Sequence, residues 1–182
     1  MKEFKLLLHE EIPSLETPLE MLEACHGRIR KFCQNLIRLV SHLELEGNCP
    51  DAMQSAANIL RYFDQAAPAH HHDEEEDLFP ALKEAIKGDS EEVAVLSAMA
   101  RLEAEHSRMY NDWQAVRQRL KALSEGFSIA LNHDGVATRF AMNYLQHAKE
   151  EEELVYPHAA RLLNAAQLAV ISGQMVARRQ VA

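Results

Sequence analysis

Four segments of this chain repeat side chains in steps of four and three, and a chain with four such seams buries them best by packing helix against helix. The first seam runs Leu22, His26, Ile29, Cys33, Leu36, Val40, Leu43, and the third runs Val95, Met99, Leu102, His106, Met109, Trp113, Val116, Leu120, Leu123. The second reads Ala56, Leu60, Phe63, Ala67, His70, Glu74, and the fourth Val136, Phe140, Asn143, His147, Glu151, Leu154. The spacing predicts an all-α four-helix bundle. With 182 residues the chain suits a single domain over 1–182 that buries a core without disulfides.

Punctuation places the helices. Thr17, Pro18 and Glu20 read as a capping box opening the first helix, which should run to about Glu46, before the stop at Gly47, Asn48 and Pro50. Asp51 is expected to cap the second helix, reaching about Lys87, with Pro68 and Pro80 each kinking it or ending it locally. Asp89 or Ser90 should cap a third helix that ends before Gly126, and a loop from Phe127 to Asp134 leads to a fourth over about Gly135 to Leu163. The bundle thus spans about 18–163, and about 165–179 reads as a short amphipathic C-terminal helix covering one end.

Charge and cysteine content exclude several classes. The formal net charge is -9, which opposes binding to a phosphate backbone, so nucleic acid is not an expected partner. No basic amphipathic stretch suits a membrane surface, and no run approaches the roughly 20 apolar residues that span a bilayer. The start of the chain, with His9, Glu10 and Glu11, lacks a signal-peptide pattern, and Cys25, Cys33 and Cys49 form no CxxC pair. A cytoplasmic protein in a reducing compartment is expected.

The seams contain polar residues where apolar ones belong. A buried carboxylate without compensation costs several kcal/mol, so Glu74 and Glu151 in apolar seams imply a cationic partner. The histidines fall at matching depths: His26 lies about 20 residues from the end of its helix and His70 about 19 from the start of the next, so an antiparallel hairpin brings them level. An internal repeat then selects among crowded candidates. HHHDEEEDLFP runs from His70 to Pro80 and HAKEEEELVYP from His147 to Pro157, so each copy sets a His and, four residues later, a Glu at the same offsets from a proline. Residues four apart share a helix face, and two mirrored pairs can flank and bridge two metals. Shifting by one to His71 and Glu75 leaves Ala148 opposite, without a second histidine. The expected metal ligands are His26, His70, Glu74, His106, His147 and Glu151. This nitrogen and oxygen set suits iron, with zinc or manganese as alternatives.

His26, the segment from His70 to Pro80, EAEH ending at His106, and the segment from His147 to Pro157 together resemble the hemerythrin-like, or HHE cation-binding, family over about Leu19 to Leu163. The resemblance implies an up-down-up-down bundle with a non-haem di-iron centre. In that centre the two glutamates bridge two irons, with an oxo or hydroxo bridge, and the histidines complete each coordination sphere. Respiratory hemerythrins carry a second histidine four residues after the one on the third helix, where this chain has Tyr110. The set therefore resembles the four-His, two-Glu version of the iron-sulfur-repair branch and other bacterial relatives, which leaves an open iron position. The first sixteen residues are too short to supply the cysteine-bearing region of many repair proteins, so a repair role is the less expected one.

The remaining charged residues read as ordinary surface. Asp73, Glu75, Glu76, Asp77, Glu150, Glu152 and Glu153 are expected to be solvated, so Glu75→Ala and Glu152→Ala should leave iron content unchanged. His71 and His72 are expected outward or beside the ligands, with His71 or His72 in place of His70 as the alternative register. His42, His133 and His158 read as structural, Tyr110 as packing, and Met99, Met109 and Trp113 as core. The resulting expectation is a protein that binds or senses dioxygen, nitric oxide or peroxide, or handles iron under oxidative or nitrosative stress. The alternatives are a di-iron oxidase or peroxidase, and a metal-dependent interaction module with an unknown protein partner.

Overall fold

The computed structural model describes residues 17–88 and 90–181, and every described regular element is helical. The chain start with His9, Glu10 and Glu11, and the expected cap at Asp89, lie outside the described residues. Helix α1 spans Pro18–Glu46 and α2 spans Pro50–His72. A π segment, Asp73–Leu78, carries α2 into α3, Phe79–Ala85. Helix α4 spans Ser90–Ser124, α5 spans Val136–Glu150, a second π segment covers Glu151–Val155, and α6 and α7 span Tyr156–Leu162 and Ala165–Val181.

Two expected caps are built differently. The Thr17 hydroxyl donates to the Glu20 carboxylate rather than capping backbone, so the reciprocal capping box is not formed. The second helix begins two residues earlier than read, with Cys49 rather than Asp51 as its N-cap residue and Pro50 at the first helical position, where a fixed φ and a missing N–H cost nothing. The stop at Gly126 follows the expected chemistry. Its φ of +94° favours glycine, Gly126 N–H donates to the Leu123 carbonyl at 3.0 Å, and Phe127 N–H donates to the Ala122 carbonyl at 3.0 Å. Glu92, buried in the first turn of α4, accepts from the backbone N–H groups of Lys87 and Gly88 at 2.8 and 2.9 Å and ties the connection to the helix start.

The two prolines of the second helix act in different ways. α2 continues through Pro68 to His72. At Pro80 the α-geometry is interrupted upstream: Phe79 N–H donates to the Glu74 carbonyl, five residues back, and Pro80 follows at the second position of α3. The fourth helix repeats this, with Tyr156 N–H donating to the Glu151 carbonyl ahead of Pro157. The sequence repeat is thus a repeat of π segments, in which a widened turn accommodates a ring that would crowd the carbonyl four residues before it.

The extra residue in each turn moves the seam. Past Glu151 the sequence periodicity puts Leu154 inward, but Leu154 is 41% exposed and Val155 is fully buried. Asn143 is likewise exposed, and the neighbouring Tyr144 fills the core position. The seams of α1 and α4 run as read, with Leu22, Ile29, Cys33 and Leu36 buried in α1 and every residue from Val95 to Leu123 in the α4 series buried.

α1 packs on α2 and α5, and α4 packs on the same two helices. Their apolar residues form two clusters. One unites Ile29 to Val40, Ala52 to Ala67, Met109 to Leu123 and Leu131 to Tyr144; the other unites Met21, Leu22, Leu78, Phe79, Leu82, Val95 to Leu102 and Val155 to Ala159. Between them in every helix lies a polar layer containing His26, His70, His106 and His147. α7 covers the second cluster with Ile171 and Met175, and Arg178 and Arg179 bind the first π segment. There the buried Asp73 accepts from both arginines, and Asp77 accepts from Arg178 at 2.9 Å. Asp73 and Asp77 are therefore not solvated, contrary to their reading as surface charges. No described helix is long and apolar enough to cross a membrane.

Candidate metal centre

All six expected ligands are buried, and they converge on one layer. His26 Nε2 lies 3.1 Å from Glu151 Oε2, His147 Nε2 lies 3.1 Å from Glu151 Oε1, and His70 Nε2 lies 3.5 Å from Glu74 Oε2. His106 Nε2 reaches 3.8 Å from Glu74 Oε2 and 3.7 Å from Glu151 Oε1. Donor atoms of His26, His70, Glu74 and Glu151 lie within 4.8 Å of one another; so do those of His71, His106 and His147. Glu74 and Glu151 stand between the two groups, each facing histidines of both.

The electrostatics of this layer call for cations. Glu151 Oε1 and Oε2, Glu74 Oε2 and His70 Nδ1 are buried and make no well-formed hydrogen bond. Nearly all buried polar atoms in folded proteins are satisfied, so this concentration of unpaired oxygens marks a place shaped for something else. His106 Nε2 and His147 Nε2 face each other at 2.8 Å, a separation that suits one proton or one shared ion between two lone pairs. Metal to nitrogen or oxygen bonds of about 2.0–2.2 Å fit inside donor groups of this span. The residues therefore fit a metal centre.

The titration behaviour follows from the same crowding. Burial pushes the Glu74 carboxyl well above the usual carboxylate range and the charge of Glu151 adds to it, against the hydrogen bond from Tyr156. For Glu151 burial acts upward, but His147, His106 and His26 outweigh it and hold the group well below that range. Burial alone would lower His26 and His147; the carboxylates of Glu151 and Glu152 raise His26, and those of Glu151 and Glu105 raise His147. His70 falls well below the ordinary imidazole value through burial and the neighbouring His26.

The outer nitrogens of three histidines are held by carboxylates on neighbouring helices. His26 Nδ1 lies 3.0 Å from Glu152 Oε1, His106 Nδ1 lies 2.6 Å from Glu75 Oε1, and His147 Nδ1 lies 3.1 Å from Glu105 Oε2. Arg30 pairs with Glu152, and Arg101 pairs with Glu105 at 3.1 Å and with Glu150 at 2.6 Å. A carboxylate that takes the outer N–H fixes the tautomer and turns the other nitrogen's lone pair inward. Glu75 and Glu152 are thus not free surface charges, and Glu150 is ion-paired; Glu76 and Glu153 do stay exposed. The repeat held a signal for the first two, since the residue after each inward glutamate is a glutamate in both copies. Glu75→Ala, Glu105→Ala and Glu152→Ala are expected to weaken metal binding by about 10- to 100-fold without abolishing it. Metal content after competition with a graded chelator reads this, and unchanged retention in all three variants would contradict it.

One further residue was not legible as part of the site. Tyr156 is buried and its hydroxyl donates to Glu74 Oε1 at 2.6 Å, with His26 Nε2 3.3 Å away. Of its two expected places, outward or beside the ligands, His71 takes the second, its ring stacked on His106. His70 lies beside Glu74 and His26, its Nε2 3.5 Å from Glu74 Oε2. Tyr110, expected to pack, is 62% exposed and lines a surface groove of about 520 Å³ between α2 and α4. His71, Glu75, His106, Trp113 and Tyr144 also line this groove, so it reaches the edge of the histidine layer.

A helical protein that brings imidazoles and two shared carboxylates to one buried layer belongs to the metal-binding histidine–carboxylate class. Residues 17–159 match the family model described as the hemerythrin HHE cation binding domain, and the chain belongs to that family. A protein of Haemophilus influenzae described as uncharacterized is 32% identical over 178 residues, covering 97% of this chain and 98% of its own.

Proposed function

We propose that this chain is a single hemerythrin-like domain over 1–182 whose six ligands, His26, His70, Glu74, His106, His147 and Glu151, hold two irons. In this reading it binds or senses dioxygen, nitric oxide or peroxide, or handles iron under oxidative or nitrosative stress. The observation that carries the reading is the pair of buried glutamates with unpaired oxygens, each facing histidines of two donor groups. An antiparallel up-down-up-down order agrees with it. The C-terminal halves of α1 and α4 share one apolar cluster with the N-terminal halves of α2 and α5. A reducing, cytoplasmic setting agrees with Cys25, Cys33 and Cys49, which are all free.

Bound iron supplies electron transfer and an open position for a small ligand. The protein's own groups do the rest. Glu75, Glu105 and Glu152 keep three imidazoles aimed inward, Tyr156 holds one oxygen of Glu74, and the apolar clusters above and below exclude bulk water. The groove beside His106 offers a path from solvent. Its volume of about 520 Å³ also favours a second reading, a di-iron oxidase or peroxidase with a larger substrate. A molecule the size of water needs only about 30 Å³.

Anaerobic loading with ferrous iron should give about two irons per chain, because a mixed imidazole and carboxylate set of this size suits two such ions. Reversible spectral change on adding dioxygen or nitric oxide supports binding, and steady consumption of peroxide supports turnover. His26 and His147 have raised pKa values, so protons compete with metal from above the ordinary imidazole range downward, and iron retention should fall between pH 8 and pH 6. A folded protein that takes up no transition metal at either pH would refute the centre.

A further inference from the structure

One inward imidazole has no place in the six-ligand set. His71 follows His70 on α2, and its ring lies face to face with that of His106, centroids 3.9 Å and planes 10° apart. Successive helical residues point about 100° apart. Because α2 packs against both α1 and α4, it sends His70 toward His26 of α1, ring centroids 4.7 Å apart, and His71 toward His106 of α4. Tyr144 of α5 stacks on His71 from another side, and its hydroxyl lies 3.1 Å from His71 Nε2.

The donor atoms of His71, His106 and His147 all lie within 4.8 Å of one another, as tight a grouping as that of His26, His70, Glu74 and Glu151. Two nitrogens on one ion stand at most about 4.2 Å apart when each bond is about 2.1 Å. Ligation of one ion by both His71 and His106 requires their stacked rings to turn until the in-plane lone pairs converge.

We propose that His71 is a seventh metal-ligating residue, forming with His106 and His147 a three-imidazole set for one ion while His26 and His70 serve the other. Glu74 and Glu151 stand between the two ions. This inference rests on the two-metal reading above. It makes the centre asymmetric in nitrogen donors, and because His71 also lines the groove, it places the richer set on the side that a ligand from solvent meets first.

His71→Phe separates ligation from packing, since phenylalanine keeps an aromatic ring against His106 but offers no lone pair. Wild-type and variant proteins are titrated anaerobically with ferrous iron, and the exchangeable imidazole N–H resonances shifted by the paramagnetic ions are counted. The expected result is a first iron bound as in the wild type, a second bound at least about tenfold more weakly, and one shifted resonance fewer. Two irons bound with wild-type affinity and no lost resonance would overturn the assignment while leaving the six-ligand centre intact. A wild-type protein that binds no iron would overturn both. His71→Leu gives the same readings if the phenylalanine variant does not fold.

Discussion

Glu151→Ala is expected to reduce bound iron from about two per chain to less than one, the largest loss of any single substitution in this protein, because among the described residues no other offers two unpaired oxygens to both donor groups. Glu151 Oε2 faces His26 at 3.1 Å, and Oε1 faces His147 at 3.1 Å and His106 at 3.7 Å. Glu74→Ala should follow closely, although Tyr156 already occupies one of its oxygens. Fold stability discriminates between a metal-binding and a merely structural role. Removing Glu151 also takes a carboxylate from His26 and His147, so each protein is compared with its own chelated form. Ferrous iron should raise the melting midpoint of the wild type and leave that of Glu151→Ala nearly unchanged. Iron content in Glu151→Ala equal to that of the wild type would refute the role, and so would a loss no greater than in Glu75→Ala or Glu152→Ala.

Phe140→Ala has the largest expected effect on the fold itself, about 3–5 kcal/mol. Phe140 is 1% exposed and touches three aromatic rings, with centroids 5.0 Å from Phe63, 5.5 Å from Trp113 and 5.1 Å from Tyr144. These rings are braced in turn: Trp113 Nε1 donates to Asp64 at 3.0 Å, and Arg117 fixes the same carboxylate at 2.8 Å. Such a cluster collapses poorly around a lost side chain, so the cavity cost adds to the lost burial. At roughly 2–4 °C per kcal/mol for a chain of this size, the midpoint of thermal unfolding should fall by roughly 10 °C. The comparison belongs in chelated protein, since bound metal shifts both midpoints. Phe140→Leu, which keeps most of the volume, should cost under about 1.5 kcal/mol. A drop of only one or two degrees for the alanine variant would mean that the aromatic cluster is not the cohesive half of the core.

The seams of α1 and α4 were readable because each residue in them answers to one regular period, and burial follows that period from Val95 to Leu123 without a break. The repeated His and Glu pairs were readable because the same local device occurs twice, with a proline as reference point in each copy. The π segments were not. A widened turn leaves no periodic trace until it has shifted the residues after it, so Val155 rather than Leu154 faces the core. Upstream the misreading was one of step order: from Phe140 to His147 the buried residues step by four then three, through Tyr144 and not Asn143.

The charge runs were misread for a different reason. Asp73 lies beside residues that resemble any solvated acidic face, and Arg178, which pairs with it, stands 105 positions away. Glu152 holds His26 across 126 positions, and Glu75 holds His106 across 31. His71 has no counterpart in the second copy of the repeat, where Ala148 stands, so nothing local marks it as inward.

From sequence alone came the helical class, the existence of a polar layer and the identity of its two inward glutamates, because each of these is a matter of spacing along one helix. Tertiary structure alone decided which carboxylates orient the imidazoles, where Tyr156 and His71 point, and where solvent reaches the layer. Those depend on which faces of separate helices meet, and even where a repeat marked Glu75 and Glu152, the local pattern could not say which imidazole each would hold.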